Sequence, residues 1–362
     1  MKIAMFGHKQ IPSRAGGVEI VVAELSSRMA ALGHDVVCYN RGGGEKCAQY
    51  DGVRLKTVPT VNKKGLAAVS SSFFAALAVC FSDAQVCHIH AEGPALMSFL
   101  PRLFGKRVIV TVHGLDWQRE KWKSGFGAKY IRWGEKMAVR FADEIIVLSR
   151  NVREYFLQEY DRTTCFIPNG VTRPEKHAPA QITENFGLQG GDYILYLGRL
   201  VPEKGVHTLI EAFKQVKTDK RLVIAGGSSD TDAYVENLKK LASSDSRICF
   251  TGFVQGRLLE ELYSNAYLYV LPSTLEGMPL SLLEAMSYGN CCVVSDIPEC
   301  TEVVGNHGVS FPRENVTALA DTLQQLCDDG QSVEAYRSTA CEFICEKYDW
   351  DRVTQKTLEL YR

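Results

Sequence analysis

No uninterrupted apolar run in this 362-residue chain reaches membrane-spanning length. The nearest, residues 66–81, is interrupted by three consecutive serines. The opening MKIAMFG passes straight into a strand without the long apolar core of a signal peptide, so a cytoplasmic location is expected. Twelve cysteines are present, yet none forms a C-x-x-C pair or a zinc-type spacing, and reduced thiols are the simplest reading. The G-x-G-x-x-G fingerprint of a dinucleotide-binding Rossmann fold is missing. There is no short repeat and no low-complexity segment. A net charge of −1 gives no bulk attraction to nucleic acid, and nucleic acid is not an expected partner.

The length favours two domains over one. The charge divides the same way. Residues 1–172 carry 23 Lys and Arg against 15 Asp and Glu, and residues 173–362 carry 18 against 27. A basic first half suggests an anionic surface or substrate on that side. Short apolar runs alternate with helical patterns through both halves. Strands are read at 2–7, 35–39, 51–60, 86–90, 107–112, 144–148 and 165–168, and again at 193–197, 222–225, 248–250, 268–271 and 292–295. That rhythm predicts an α/β chain of two doubly wound, Rossmann-like domains facing each other. The boundaries are an N-terminal domain over 1–172, a linker over 173–191 rich in Pro, Gly and charge, and a C-terminal domain over 192–347. A break is expected at Tyr348-Asp349-Trp350, before a last helix over about 348–362.

Candidate functional residues fall at strand ends, where ligands sit in open α/β sheets. Gly16 and Gly17 lie just before a helix start, equally suited to an ordinary turn or to a phosphate pressed against backbone N–H groups. His113 closes the apolar strand VIVTV, where it is either a ligand contact or a hydrogen-bonded structural residue. In YLGRLVPEKGV, Arg199 lies at a strand end and Lys204 at the start of the next helix. A cation is mildly unfavourable at a helix N-terminus unless an anion lies between, and a diphosphate serves well. The bland alternative pairs Arg199 with Glu203 and leaves Lys204 solvated. Between Leu268 and Ser295, Glu276 sits in a loop beside Gly277, and Glu284 on a helix opened by Pro279. Asp230-Thr231-Asp232 reads as a helix cap rather than a metal-binding D-x-D. Residues 117–140 interleave seven Lys and Arg with Trp117, Trp122, Phe126, Tyr130 and Trp133, a composition suited to an anionic membrane surface.

Five motifs in order carry a resemblance: GGVE at 16–19, HGLD at 113–116, PNGV at 168–171, GRLVPEKG at 198–205 and the Glu276/Glu284 unit. Together they resemble family 4 glycosyltransferases, retaining enzymes of the GT-B fold, over essentially the whole chain. The GHKQIPSRAGGVE opening looks like the bacterial surface-polysaccharide branch with its rhamnosyltransferase-like members. The resemblance implies two Rossmann-like domains facing across a cleft, with the last helix packing back on the first. It implies a nucleotide diphosphosugar donor, a glycan or lipid-linked acceptor, and no metal or other cofactor. Glu276, His113, Arg199 and Lys204 would be catalytic. Gly16, Gly17, Gly198, Arg199, Lys204 and Val254 would bind the donor, as would Gly277, Met278, Pro279, Leu280 and Glu284. Glu19 and Asn169 would lie on the acceptor side. Thr172 replaces the acidic residue that the family usually shows after NGV. A GT-B epimerase and a non-catalytic nucleotide-sugar-binding subunit share much of this pattern.

Overall fold

The computed structural model describes residues 1–44, 47–63, 65–119, 126–229 and 231–362. The chain divides into two compact units, Met1–Gly170 with Trp350–Arg362, and Val171–Asp349.

The first unit is built on β1 (Lys2–Phe6), α1 (Gly17–Ala31), β2 (Asp35–Arg41), β3 (Gln49–Tyr50), β4 (Val53–Val58), α2 (Leu66–Cys80) and β5 (Val86–His90). It continues with α3 (Glu92–Ala95), α4 (Phe99–Leu103), β6 (Arg107–Val112), α5 (Phe126–Phe141), β7 (Glu144–Val147), α6 (Arg150–Tyr160) and β8 (Cys165–Phe166). The eight strands run in the order β3-β4-β2-β1-β5-β6-β7-β8. All pairs are parallel except β3 with β4, a short antiparallel edge that the run 51–60 does not reveal. Central strands such as β1, buried from Ile3 to Phe6, need apolar side chains on both faces. The order reverses between β1 and β5, which makes their C-terminal ends the switch point of this sheet.

The helical run 66–81, with Leu66, Val69, Phe73, Phe74, Leu77 and Phe81, suits core packing or a membrane contact by sequence, and the structure turns most of these side chains outward. The inward face of α2 is Ser71, Ser72, Ala75, Ala76, Val79 and Cys80. Phe73, Phe74, Leu77 and Phe81 point to solvent. The serines donate to carbonyls a turn back, Ser72 to Ala68 at 2.7 Å, so small polar residues are satisfied inside while large apolar ones stay outside.

The second unit comprises α7 (Gln181–Phe186), β9 (Tyr193–Leu197), α8 (Val206–Phe213), β10 (Arg221–Ala225), α9 (Asp232–Ala242), β11 (Ile248–Gly252) and α10 (Gly256–Asn265). Then come β12 (Leu268–Leu271), α11 (Leu280–Ser287), β13 (Cys291–Ser295), α12 (Pro298–Val304), β14 (Val309–Phe311), α13 (Val316–Asp328) and α14 (Gly330–Lys347). Its six strands are all parallel, ordered β11-β10-β9-β12-β13-β14, and reverse between β9 and β12. Residues 173–191 are held on this unit rather than left loose. The buried Glu261 carboxylate accepts the N–H groups of Ala180 at 2.9 Å and Ile182 at 3.2 Å, and Ile182 and Leu188 are fully buried. The last helix, α15 (Trp350–Glu359), belongs to the first unit and lies against α1. Gly170 is required there, because a Cβ would meet the Trp350 ring at 2.5 Å.

Candidate active site

At the switch point of the second sheet, β9 ends at Leu197 and leads through Gly198 and Arg199 into a 3-10 turn, Pro202–Lys204. Lys204 is therefore the last residue of that turn, one before Gly205, the N-cap of α8, and not part of the helix itself. Gly205 adopts φ +66°, and a Cβ on it would sit 2.1 Å from the Pro272 carbonyl oxygen. Only glycine allows this approach. The two loops are tied again where the Thr274 N–H donates to the Glu203 carbonyl at 2.9 Å.

That bracing brings Lys204 to Glu276. Lys204 Nζ lies 2.5 Å from Glu276 Oε1, with the side chains only 13 % and 8 % exposed. Ser273, fully buried, donates to the same oxygen at 2.6 Å, and Ser295 holds the Ser273 carbonyl. The solvated Lys204 of the bland alternative is thus replaced by a nearly buried ion pair. Nor does Arg199 pair with Glu203: among the described residues no carboxylate pairs with its guanidinium. Its carbonyl accepts from the Tyr196 hydroxyl at 3.0 Å, and that phenol, fully buried beside Glu276, is held well above its ordinary pKa by burial.

α11 forms because Leu282, Leu283 and Met286 recur on one face and are fully buried. Pro279 is its N-cap, with extended backbone, just outside the first turn where sequence reading places it. The helix stops at Gly289, φ +74°, whose N–H donates to Met286 O at 2.8 Å. Glu284, one face round from the core stripe, has an oxygen 3.2 Å from the Tyr263 hydroxyl. Tyr269 reaches Leu197 O at 3.1 Å and Ser281 Oγ at 2.9 Å, linking the end of β9 to the start of α11. These tyrosines carry no motif and read in sequence as core aromatics. Tyr193 and Tyr196, three positions apart on β9, give no hint of where their hydroxyls go. Val254 is buried after β11, and Gly198 fits only because a Cβ would meet the Tyr196 hydroxyl at 2.9 Å. Gly277 is buried, and Met278 and Leu280 are half-buried beside Pro279. Thr231 is the N-cap of α9 and Asp232 stands in its first turn, while Asp230 lies outside the described residues.

In the first unit, histidines gather at the ends of β1, β5 and β6. His88, His90 and His113 are buried, with His90 Nδ1 3.1 Å from His113 Nε2. His88 is placed by the Tyr361 hydroxyl at 2.6 Å and Thr111 Oγ1 at 2.7 Å. Burial holds the pKa of His88 and His113 down to about 3, with the Arg119 charge adding to the latter. Both rings are neutral at pH 7. His90 Nε2 is buried without a hydrogen-bond partner among the described residues. A bare lone pair there costs less than an unmatched N–H. The network therefore assigns the His90 proton to Nδ1, donating to His113, and the His113 proton to Nδ1. Gly7 permits the packing, since a Cβ would meet His90 O at 2.0 Å.

Gly16 is the N-cap of α1 and Gly17 its first residue. Glu19 turns back from the first turn to accept the Lys9 N–H at 2.9 Å, and its other oxygen would lie 2.3 Å from a Cβ on Gly16. The loop before α1 is pinned also by Asn40, which accepts the Ile11 N–H at 3.1 Å and holds His8 at 2.9 Å. Asn169 is buried beside Gly170. Of the stretch 117–140, residues 120–125 lie outside the described residues; Tyr130 is buried, Arg132 stacks on Trp117 at 4.3 Å, and Trp133 is exposed. Among the described residues no group of three or more His, Cys, Asp or Glu is arranged to hold a metal.

Two family models cover most of the chain: Glycosyltransferase Family 4 over residues 15–173 and Glycosyl transferases group 1 over residues 181–343. The alpha-maltose-1-phosphate synthase of Mycolicibacterium smegmatis is 26 % identical over 392 residues, covering 100 % of this chain and 99 % of its own. Among solved structures, sucrose-phosphate synthase from Thermosynechococcus elongatus superposes with a TM-score of 0.87 at 21 % identity, covering 100 % of this chain and 98 % of its own. The Anabaena protein HepE, solved with UDP and glucose, gives 0.85 at 18 % identity over 99 % and 98 %.

Proposed function

The chain belongs to the family 4 glycosyltransferases of the GT-B fold, and from that premise we propose that it moves a sugar from a nucleotide diphosphosugar to an acceptor hydroxyl with retention of anomeric configuration. The process served is assembly of a surface polysaccharide or glycolipid. One observation carries the donor assignment: Arg199, Lys204, Glu276 and Glu284 all converge on the β9/β12 switch point, around the N-terminal ends of α8 and α11.

The chemistry follows from charge. The anomeric C–O bond to the β-phosphate breaks, a C–O bond to the acceptor forms on the same face, and the acceptor proton passes to the leaving phosphate oxygen. Negative charge grows on the diphosphate. Arg199, able to bind two oxygens, Lys204 and the free N–H groups of the helix starts stabilise it. These groups do the charge work that a divalent metal does in D-x-D glycosyltransferases, so turnover without added metal is expected. Glu276 binds sugar hydroxyls and steadies positive charge at the anomeric carbon. Glu284 accepts ribose hydroxyls, oriented by Tyr263. The family resemblance further assigns a sugar contact to His113 and a phosphate contact to the backbone N–H groups at Gly16 and Gly17. No protein nucleophile is needed.

A panel of UDP-, GDP- and dTDP-sugars tests the reading by ligand-induced thermal shift. UDP-glucose comes first, because HepE is solved with it. One donor raises the unfolding temperature, and Glu284→Ala removes most of that rise. No response to any donor contradicts the reading.

A further inference from the structure

Leu66, Phe73, Phe74, Leu77 and Phe81 recur along one side of α2, and all are exposed, Phe81 at 75 %. Leu103 and Phe104, at the end of α4, are 72 % and 49 % exposed, and the Phe104 ring centroid lies 5.4 Å from that of Phe81. Val61 joins at the other end, its N–H donating to Ser70 Oγ at 3.0 Å. These eight side chains are the majority of the large apolar residues exposed among the described residues. Scattered singly they would need no explanation, but gathered on one face they mark a contact surface. A hollow of about 330 Å³ between β4 and α2, lined by Val58, Pro59, Phe74, Leu77 and Phe81, continues the apolar surface.

The exposed charges on α4 and α5 are of one sign, positive. No charged residue lies within α2. Lys56 borders the hollow and Lys63 precedes the helix, both exposed. α4 joins α2 to α5, Phe99 of α4 meeting Phe141 of α5 at 6.2 Å between ring centroids. α5 in turn exposes Lys129, Arg132, Lys136 and Arg140 at helical spacing, with Trp133 among them at 51 %. The nearby acids are already engaged, Asp83 by Lys2 and Asp143 by Arg102 at 2.7 Å, and Glu135 of α5 is buried, accepting from Tyr155 at 2.9 Å.

We infer that this face of the first unit docks on a bilayer containing anionic phospholipid, with the α2 and α4 side chains entering the interface and the α5 cations meeting headgroup phosphates. Aromatic and aliphatic side chains beside a basic helix face suit a contact lying in the plane of the interface. Among the described residues no helix is long and apolar enough to cross a membrane, so the contact lies on the surface. A second copy of this chain would set the same cations against each other.

Vesicle flotation of the full chain tests this, with vesicles of phosphatidylcholine alone and of phosphatidylcholine with one-third phosphatidylglycerol. Wild type floats with the anionic vesicles and binds neutral ones at least about tenfold less. Phe81→Ser/Phe104→Ser lowers binding to anionic vesicles at least about tenfold, and Lys129→Gln/Lys136→Gln does so by about tenfold with a flatter salt dependence. Both variants keep the wild-type unfolding temperature and nucleotide-sugar response. The inference is overturned if wild type stays unbound or shows no lipid preference, or if the Phe variant floats like wild type. It is also overturned if wild type elutes as a dimer that the Phe variant dissociates, since a second copy then covers the face.

Discussion

Lys204→Ala removes one partner of an ion pair whose members are 13 % and 8 % exposed. The Glu276 carboxylate then keeps only the Ser273 hydroxyl among its contacts here. Breaking a buried pair from one side costs about 3 kcal/mol or more, chiefly by leaving a buried charge uncompensated. In a unit of this size that corresponds to a fall in unfolding temperature of roughly 6–12 °C. Glu276→Gln removes the complementary charge but keeps a hydrogen-bonding side chain, so its cost is smaller. In the double variant Lys204→Ala/Glu276→Gln no unpaired charge is left, and part of the loss is recovered. Urea unfolding of all four proteins, followed by far-UV circular dichroism, closes the cycle. A coupling energy of about 1–3 kcal/mol is expected. Single variants unfolding within about 0.5 kcal/mol of wild type, with zero coupling, would mean that the two loops are not held together through this pair.

Other consequences are equally specific. Gly205→Ala forces a side chain into φ +66° against the Pro272 carbonyl, costing about 2–4 kcal/mol, and it separates the Arg199–Lys204 loop from the Glu276 loop; calorimetry should show both a lower unfolding temperature and weaker nucleotide-sugar binding. Burial lowers the pKa of His8, to about 4, and of His88, His90 and His113, so below pH 6.5 the unfolded first unit takes up protons that the folded unit refuses, and stability falls as pH drops. Buried Glu92 has its pKa raised and works the other way, leaving a net slope of at most about 4 kcal/mol per pH unit. All four tryptophans, Trp117, Trp122, Trp133 and Trp350, belong to the residue ranges of that unit, so their emission should report a cooperative acid transition near pH 5; a flat signal down to pH 4 would refute the assignment. His90→Phe removes the bond that fixes the His113 tautomer, and turnover should fall about tenfold with little change in KM, whereas a purely structural role would lower stability and leave turnover per folded molecule alone.

The strand series, the two sheets and the positions of His113 and Arg199 at strand ends, with Gly16 and Glu276 in the loops that follow strands, were legible because parallel strands buried on both faces are nearly pure apolar runs. What was not legible depends on contacts between distant residues. Lys204 and Glu276 are 72 positions apart, and nothing in either motif announces that they pair. The stretch 173–191 has the composition of a linker, yet Glu261 on α10 captures it. For α2 the apolar pattern does not tell which side faces in, since Ser71, Ser72, Ala75, Ala76, Val79 and Cys80 form the buried face.

Arg199 offers the most direct test of the donor site, because no described carboxylate depends on it and its loss need not unfold the loop. Release of nucleoside diphosphate from the stabilising donor should be measured for wild type and Arg199→Ala at matched folded concentration. The account predicts turnover that requires an acceptor and a loss of about 100-fold or more in the variant. Wild-type turnover in Arg199→Ala would contradict it.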